Sequence, residues 1–295
     1  MIFAEERRRG CMMEDDPDWW ALPDEDYRFS LGIHPGNAVA FFGPTQDRKR
    51  LLAERRGWLV DDANRHMALL PEAEKYLTEV ELLADQWGVI PPPTGSSPWE
   101  RLLNLGSQVE ADLVLLAPGE PGKLKVVGGC VCFPSFWRLS DKLGLPVDDV
   151  HEPVPGLNAN LGSAIDRYLS RMKPGSCWFR ANWGMASRPD LNDHPDRGRL
   201  PWERPLSLDR VWLRREDQAI LSLPNTRGVL FGIRVVVRSV AELARSPEKG
   251  RRLAHSWRTM PDDLVRYKGF ADVREELIGL LETRAEQDPC RTSPT

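Results

Sequence analysis

Two apolar runs lying close together, ADLVLLA at 111–117 and KLKVVGGCVCF at 123–133, decide how this chain folds. Both are rich in strand-forming residues, and the turn between them is short and carries proline and glycine. They are expected to pair as an antiparallel hairpin. Three more strands are expected at 177–184, 210–216 and 228–239. Helices fall between and after them. One runs from a cap at Ser135 to Gly144. One is capped by Asn158 and runs through Met172, with Leu161, Ile165, Tyr168, Leu169 and Met172 on one face. One opens at Ser246-Pro247, and the last is capped by Asp272 and reaches about Glu286. Strands in succession with helices inserted, not a regular alternation, indicate an α+β fold built on an antiparallel sheet.

Upstream of the hairpin the pattern is helical. Good helix formers crowd the stretch from Arg48 to Arg56. A second helix is expected over 71–87, where Pro71 suits the first turn, Gly88 the C-cap, and Tyr76, Val80, Leu83 and Trp87 make one apolar face. The cluster Ile90-Pro91-Pro92-Pro93-Thr94-Gly95-Ser96-Ser97-Pro98 then breaks the chain. The resulting division is an acidic, flexible arm at 1–26, a helical region at 27–98, a strand-rich domain with C-terminal helices at 99–286, and a tail at 287–295. Trp19-Trp20 is the part of the arm able to dock onto the body.

Composition narrows the function. The 295 residues are 41% apolar and 28% charged, enough for a sizeable core without disulfides. Mean hydropathy is -0.44, and no stretch approaches the roughly 18 apolar residues of a membrane span. No secretory leader is apparent. Net charge is -4, and residues 1–30 alone carry nine acids and four bases, so no basic nucleic-acid footprint exists in bulk. Five cysteines, without a C-x-x-C pair, fit a reducing cytoplasm better than a secreted framework or a structural zinc site. Dinucleotide, phosphate-loop, zinc-protease and serine-hydrolase motifs are missing. Gly43 reads as a turn.

Polar residues inside the strands carry more. Period-two geometry places Trp178, Arg180 and Asn182 on one face, and Trp212, Arg214 and Glu216 on another. In the last strand Val229, Phe231, Ile233, Val235 and Val237 oppose Leu230, Gly232, Arg234, Val236 and Arg238. These faces suit either a half-solvated sheet or a pocket wall offering guanidinium groups to an anionic ligand. Of the five histidines, His151 has the most constrained setting, in Asp149-Val150-His151-Glu152-Pro153-Val154-Pro155-Gly156-Leu157-Asn158. It suits either a metal or haem ligand or a solvent-facing, hydrogen-bonded side chain. His194 falls in the long 188–209 loop, expected to be mobile, and His255 in a helix.

Several phrases in fixed order resemble the haem-dependent oxidative N-demethylase family. They are Val131-Cys132-Phe133-Pro134-Ser135 with Trp137, the His151–Asn158 phrase, Arg180-Ala181-Asn182-Trp183, Trp212-Leu213-Arg214 with Glu216 and Gln218, Phe231-Gly232-Ile233-Arg234, and Arg258-Thr259-Met260-Pro261 with Tyr267-Lys268-Gly269. The resemblance runs from about residue 27 to 283. It implies a PAS-like antiparallel sheet with helices packed around it, placing a PAS-like haem-binding domain at 99–286. It implies a b-type haem and oxidation of a methylated amine, such as dimethylamine, to an amine plus formaldehyde with dioxygen. His151 is then the axial ligand of the iron. Arg180, Asn182, Arg234 and Trp212 become cofactor-binding residues, and Glu216 and Arg214 catalytic ones. Glu216 would hold the protonated amine. No flavin or iron–sulfur segment is evident, so electrons are expected from a separate reductase chain. The alternative is a non-catalytic haem or small-molecule sensor module on the same PAS-like fold.

Overall fold

The computed structural model describes residues 25–89, 97–119 and 123–286. The arm with Trp19-Trp20, apart from Glu25 and Asp26, lies outside these residues, as do the tail at 287–295 and most of the breaker cluster. The described chain is α+β. Its elements in order are β1 (His34–Pro35), α1 (Ala38–Phe42), α2 (Arg48–His66), β2 (Met67–Leu69), α3 (Glu74–Gln86), α4 (Pro98–Gly106), β3 (Asp112–Pro118), β4 (Leu124–Cys130), α5 (Val147–His151), α6 (Leu157–Leu169), β5 (Cys177–Ala186), β6 (Trp212–Ser222), β7 (Val229–Ser239), α7 (Val240–Leu243), α8 (Pro247–Thr259), α9 (Asp262–Tyr267) and α10 (Arg274–Glu286). The strands form one antiparallel sheet in the order β1-β5-β6-β7-β3-β4-β2.

The punctuation read from sequence acts as expected in several places. Ser97 and Pro98, read from sequence only as the end of the breaker cluster, also open α4, where Ser97 and Glu100 form a reciprocal capping box with Pro98 in the first turn. Ser246 accepts from the Lys249 N–H ahead of Pro247, opening α8. Gly88 takes φ +75° just past α3. Tyr76, Val80 and Trp87 are buried on one face of that helix.

Other segments differ from expectation. Residues 135–144 are not a helix. They hold one 3-10 turn at Ser140–Lys142, and Phe136 sits at φ +62°. Asn158 does not cap α6. Gly156, at φ +74°, precedes the helix, while the Asn158 side chain donates to the Asp148 carbonyl of α5. The strand expected at 210–216 runs from Trp212 to Ser222. The helical region also contributes two short edge strands, β1 and β2, because their residues complete ladders on β5 and β4.

The two sheet faces are covered differently. Phe179, Ala219, Leu221, Leu230, Leu113 and Leu115 pack against Phe41, Phe42, Leu77, Val80, Leu102 and Leu105 from α1, α3 and α4. This face is filled. Gly232 permits the contact, since a Cβ there would stand 2.4 Å from the Phe42 ring. On the other face Val114, Leu116, Ile220 and Phe231 meet α5 and α6 through Val147, Val150, Tyr168 and Leu169. Neither α5 nor α6 has a fully buried residue. The C-terminal helices form a third cluster around Leu253, Trp257, Phe270 and Leu277, joined to the sheet at Met185 and Leu213.

Candidate functional site

An apolar helix face with no fully buried residue borders a cavity, and here it is large. Beneath α5 and α6 lies a space of about 350 Å³, within the usual range of roughly 300–1,000 Å³ for ligand pockets. Its apolar walls come from Val114, Leu116, Val126, Ile220 and Phe231 on the sheet and Val147, Val150, Ile165 and Leu169 on the helices. Residues 135–139, with Trp137, close one side, and Leu31 and Ile33 another.

Four of the seven residues singled out in sequence line this space: His151, Arg180, Asn182 and Glu216. Strand register explains the last three. Asn182 is opposite Glu216, and Arg180 is opposite Gln218, so these four side chains share one sheet face. Gln218 donates to a Glu216 carboxylate oxygen at 2.8 Å, and Asn182 to the same oxygen at 3.4 Å. Gln218 received no role from sequence, because the strand was expected to stop at Glu216. Continuing the period of two along Glu216, Gln218 and Ile220 would have found it.

Arg180 is the exceptional member. Its Nε is buried and has no hydrogen-bond partner. Burial lowers its pKa, an effect partly opposed by the Glu216 charge. A desolvated guanidinium without a bonded carboxylate is costly, and an anionic ligand would relieve the cost. The Tyr168 hydroxyl, also on the cavity wall, is another buried group without a partner.

His151 enters from the last turn of α5. Burial and the nearby Arg180 charge push its pKa down to about 4, so the ring is a neutral imidazole with a lone pair at pH 7. Among the described residues no three His, Cys, Asp or Glu side chains converge to hold a metal ion. One imidazole is sufficient where the metal brings its other ligands with it, as iron in a porphyrin does. One neutral imidazole, one unpartnered guanidinium and flat apolar walls therefore suit a haem.

The structure places the other three residues elsewhere. Arg234 lies on the opposite sheet face, because Ile233, not Arg234, is level with Gln218. It donates to the Phe41 and Gly43 carbonyls at 2.7 and 2.8 Å and pairs with Glu110 at 3.1 Å. Gly43 is thus a turn that also receives this arginine. Arg214 is fully buried and donates to the Asp190, Leu191 and Pro134 carbonyls at 2.6, 2.7 and 3.2 Å, fastening the 188–209 loop to the sheet. Trp212 begins β6 between Ala186 and Ser239 and does not line the cavity. The long loop is also anchored at His194, which is buried beside His66.

The sequence model of one family, described as haem-dependent oxidative N-demethylase, alpha subunit-like, matches residues 47–278. That span takes in the whole sheet except β1, both helices over the cavity, and all seven residues above. The name describes a haem-dependent oxidative enzyme and one subunit of it. Covering well over half of its length, the match shows that the chain belongs to the haem-dependent oxidative N-demethylase, alpha subunit-like family.

Proposed function

We propose that this chain binds one b-type haem in the cavity beneath α5 and α6 and removes a methyl group from a small methylated amine such as dimethylamine. The observation that carries the reading is the convergence of a neutral imidazole, an unpartnered guanidinium and a carboxylate on one apolar cavity. The proposed PAS-like core comprises the β3-β4 hairpin, the inserted helices α5 and α6, and the β5-β6-β7 meander.

When bound, the haem supplies the activation of dioxygen. In the overall change an N-methyl amine, dioxygen, two electrons and two protons give the demethylated amine, formaldehyde and water. The chain's own residues do the rest. His151 holds the iron through a ring nitrogen. Arg180 neutralises a propionate. Glu216, kept in place by Gln218 and Asn182, accepts a charge-assisted hydrogen bond from the ammonium form of the substrate. The apolar walls exclude water from the reacting centre. Electrons come from a separate flavin or iron–sulfur reductase. The free thiols of Cys130, Cys132 and Cys177 suit a reducing cytoplasm.

Reconstitution tests this directly. Chain supplied with haem should show a Soret band, and His151→Ala should change the spectrum or abolish uptake. Dioxygen-dependent formaldehyde release from dimethylamine, given an electron donor, should follow. Haem uptake without formaldehyde release would favour the non-catalytic sensor reading. A wild-type chain that takes up no haem would reject both.

A further inference from the structure

Beside the large cavity lies a second, smaller one of about 90 Å³. The two share walls at Ser135, Phe136, Gly184 and Tyr267. Their chemistry differs. The large space is mostly apolar, whereas the side chamber is lined by four cationic side chains, Arg188, Arg199, Arg214 and Lys268, against one carboxylate, Asp193.

Two of the four cations are occupied. Arg214 is consumed by the carbonyls of its loop. Arg188 donates to the Gly198 carbonyl and pairs with Asp193 at 3.6 Å, so the carboxylate of the chamber is already engaged. The other two have no carboxylate in ion-pair contact among the described residues. Lys268 Nζ donates to the Trp183 carbonyl at 2.5 Å and lies 4.3 Å from the centre of the Trp183 ring. An ammonium has three donors, and one backbone carbonyl leaves two to spend. Arg199 stacks on the Phe136 ring at 3.8 Å and packs against the bare Cα of Gly269. The left-handed φ of +80° at Gly269 favours glycine, and a Cβ there would collide with the guanidinium. The two cations therefore meet at one turn, Tyr267-Lys268-Gly269. The shared wall residue Phe136 holds a left-handed φ of +62°, an uncommon backbone state for a bulky side chain that is found at ligand clamps.

We propose that the side chamber is a carboxylate-binding subsite of the main cavity, with Lys268 and Arg199 as its ligating cations. The inference rests on the haem reading above and deepens it. Two sources supply that chemistry: a propionate of the haem itself, or the carboxylate of an amine substrate that carries one. Arg214 and Arg234 are already bonded within the fold, so the side chamber adds the acid partners that Arg180 alone does not provide. Burial brings the Lys268 pKa down to about 8 although the Glu216 charge opposes the shift, and a carboxylate in the chamber would raise it.

The test titrates the full chain with haem and with haem dimethyl ester, whose propionates are uncharged, and follows the Soret band. If a propionate enters the chamber, wild type binds haem about tenfold or more tightly than the ester. Lys268→Met and Arg199→Gln then each weaken haem binding by about tenfold and leave the ester unchanged, and Lys268→Arg restores much of the loss. Arg199 is exposed, so its variant serves if the lysine variant folds poorly. If a substrate carboxylate enters instead, N,N-dimethylglycine perturbs the haem spectrum at lower concentration than dimethylamine, and the same variants erase that preference. Haem uptake that ignores both variants, with no preference for the carboxylated amine, overturns this inference alone. Uptake of neither porphyrin by wild type overturns the haem reading and this inference with it.

Discussion

At the scale of single residues, burial decides what a side chain can do, and spacing does not report burial. His151 was visible as a constrained histidine, but its neutrality follows from the covered position of α5 beside Arg180. Its folded pKa of about 4 lies below the ordinary 6.5. The unfolded chain therefore binds the extra proton first as pH falls. The contribution to apo-protein stability is fully present above about pH 6.5, declines by about 3 kcal/mol between there and about pH 4, and then levels off. Urea titrations of wild type and His151→Ala across that range should differ in slope, and parallel curves would dismiss the shift. Arginines show the same limit. Arg180, Arg214 and Arg234 look alike in sequence, yet one faces the cavity and two anchor loops. Arg214→Met strips donors from three carbonyls, each costing about 1–3 kcal/mol if left buried and dry. It should lower Tm and open 188–209 to proteolysis. Arg180→Met should hold or raise Tm while weakening porphyrin binding. The reverse pattern would exchange their roles.

At the scale of elements, alternation was legible and register was not. The sequence separates the two faces of β5, β6 and β7 correctly, because side chains alternate along any strand. It does not say which face of one strand lies level with which face of the next. The ladder sets Gln218 beside Ile233, and that one-residue phase sends Arg234 away from Arg180 and Glu216. The strand β6 also runs on past Glu216, through Asp217 and Gln218 to Ser222. Asp217 is paired with Arg215 at 2.7 Å on the other face. Ser246-Pro247 and Gly88 do mark helix ends, because such signals act locally, whereas Ser135 and Asn158 cap no helix. The filled face offers a sharp test of the layering. Gly232→Val would drive a branched side chain into the Phe41 and Phe42 rings and should cost about 1–3 kcal/mol, the usual range for overpacking. Because those rings are on the side away from the cavity, the porphyrin spectrum of whatever folds should be unchanged. A spectral shift would mean that the sheet transmits the strain.

At the scale of the whole molecule, one sheet separates a filled layer from a hollow one. Helices α1 to α4 supply rigidity on one face. The C-terminal segment reaches the main cavity through Tyr267 and the side chamber through Lys268. This architecture offers a binding site, and the proposed reaction also needs a supply of electrons. Among the described residues no cysteine set could hold an iron–sulfur cluster, and the sequence has no dinucleotide-binding glycine motif. In the proposed reaction Glu216 and Arg180 hold an amine and an acid group, but neither carries reducing equivalents. An oxidative demethylation needs two electrons per dioxygen, and a nicotinamide delivers them as a hydride, which must be split into single electrons before they reach an iron centre. The reconstituted chain mixed with a nicotinamide cofactor and dimethylamine should therefore release no formaldehyde beyond one turnover of any electrons it was loaded with. Adding a flavin- or iron–sulfur-containing reductase should start steady release, in proportion to the reductase at low concentration. Sustained turnover by the chain with a nicotinamide alone would place an electron path within this fold and refute the need for a second chain.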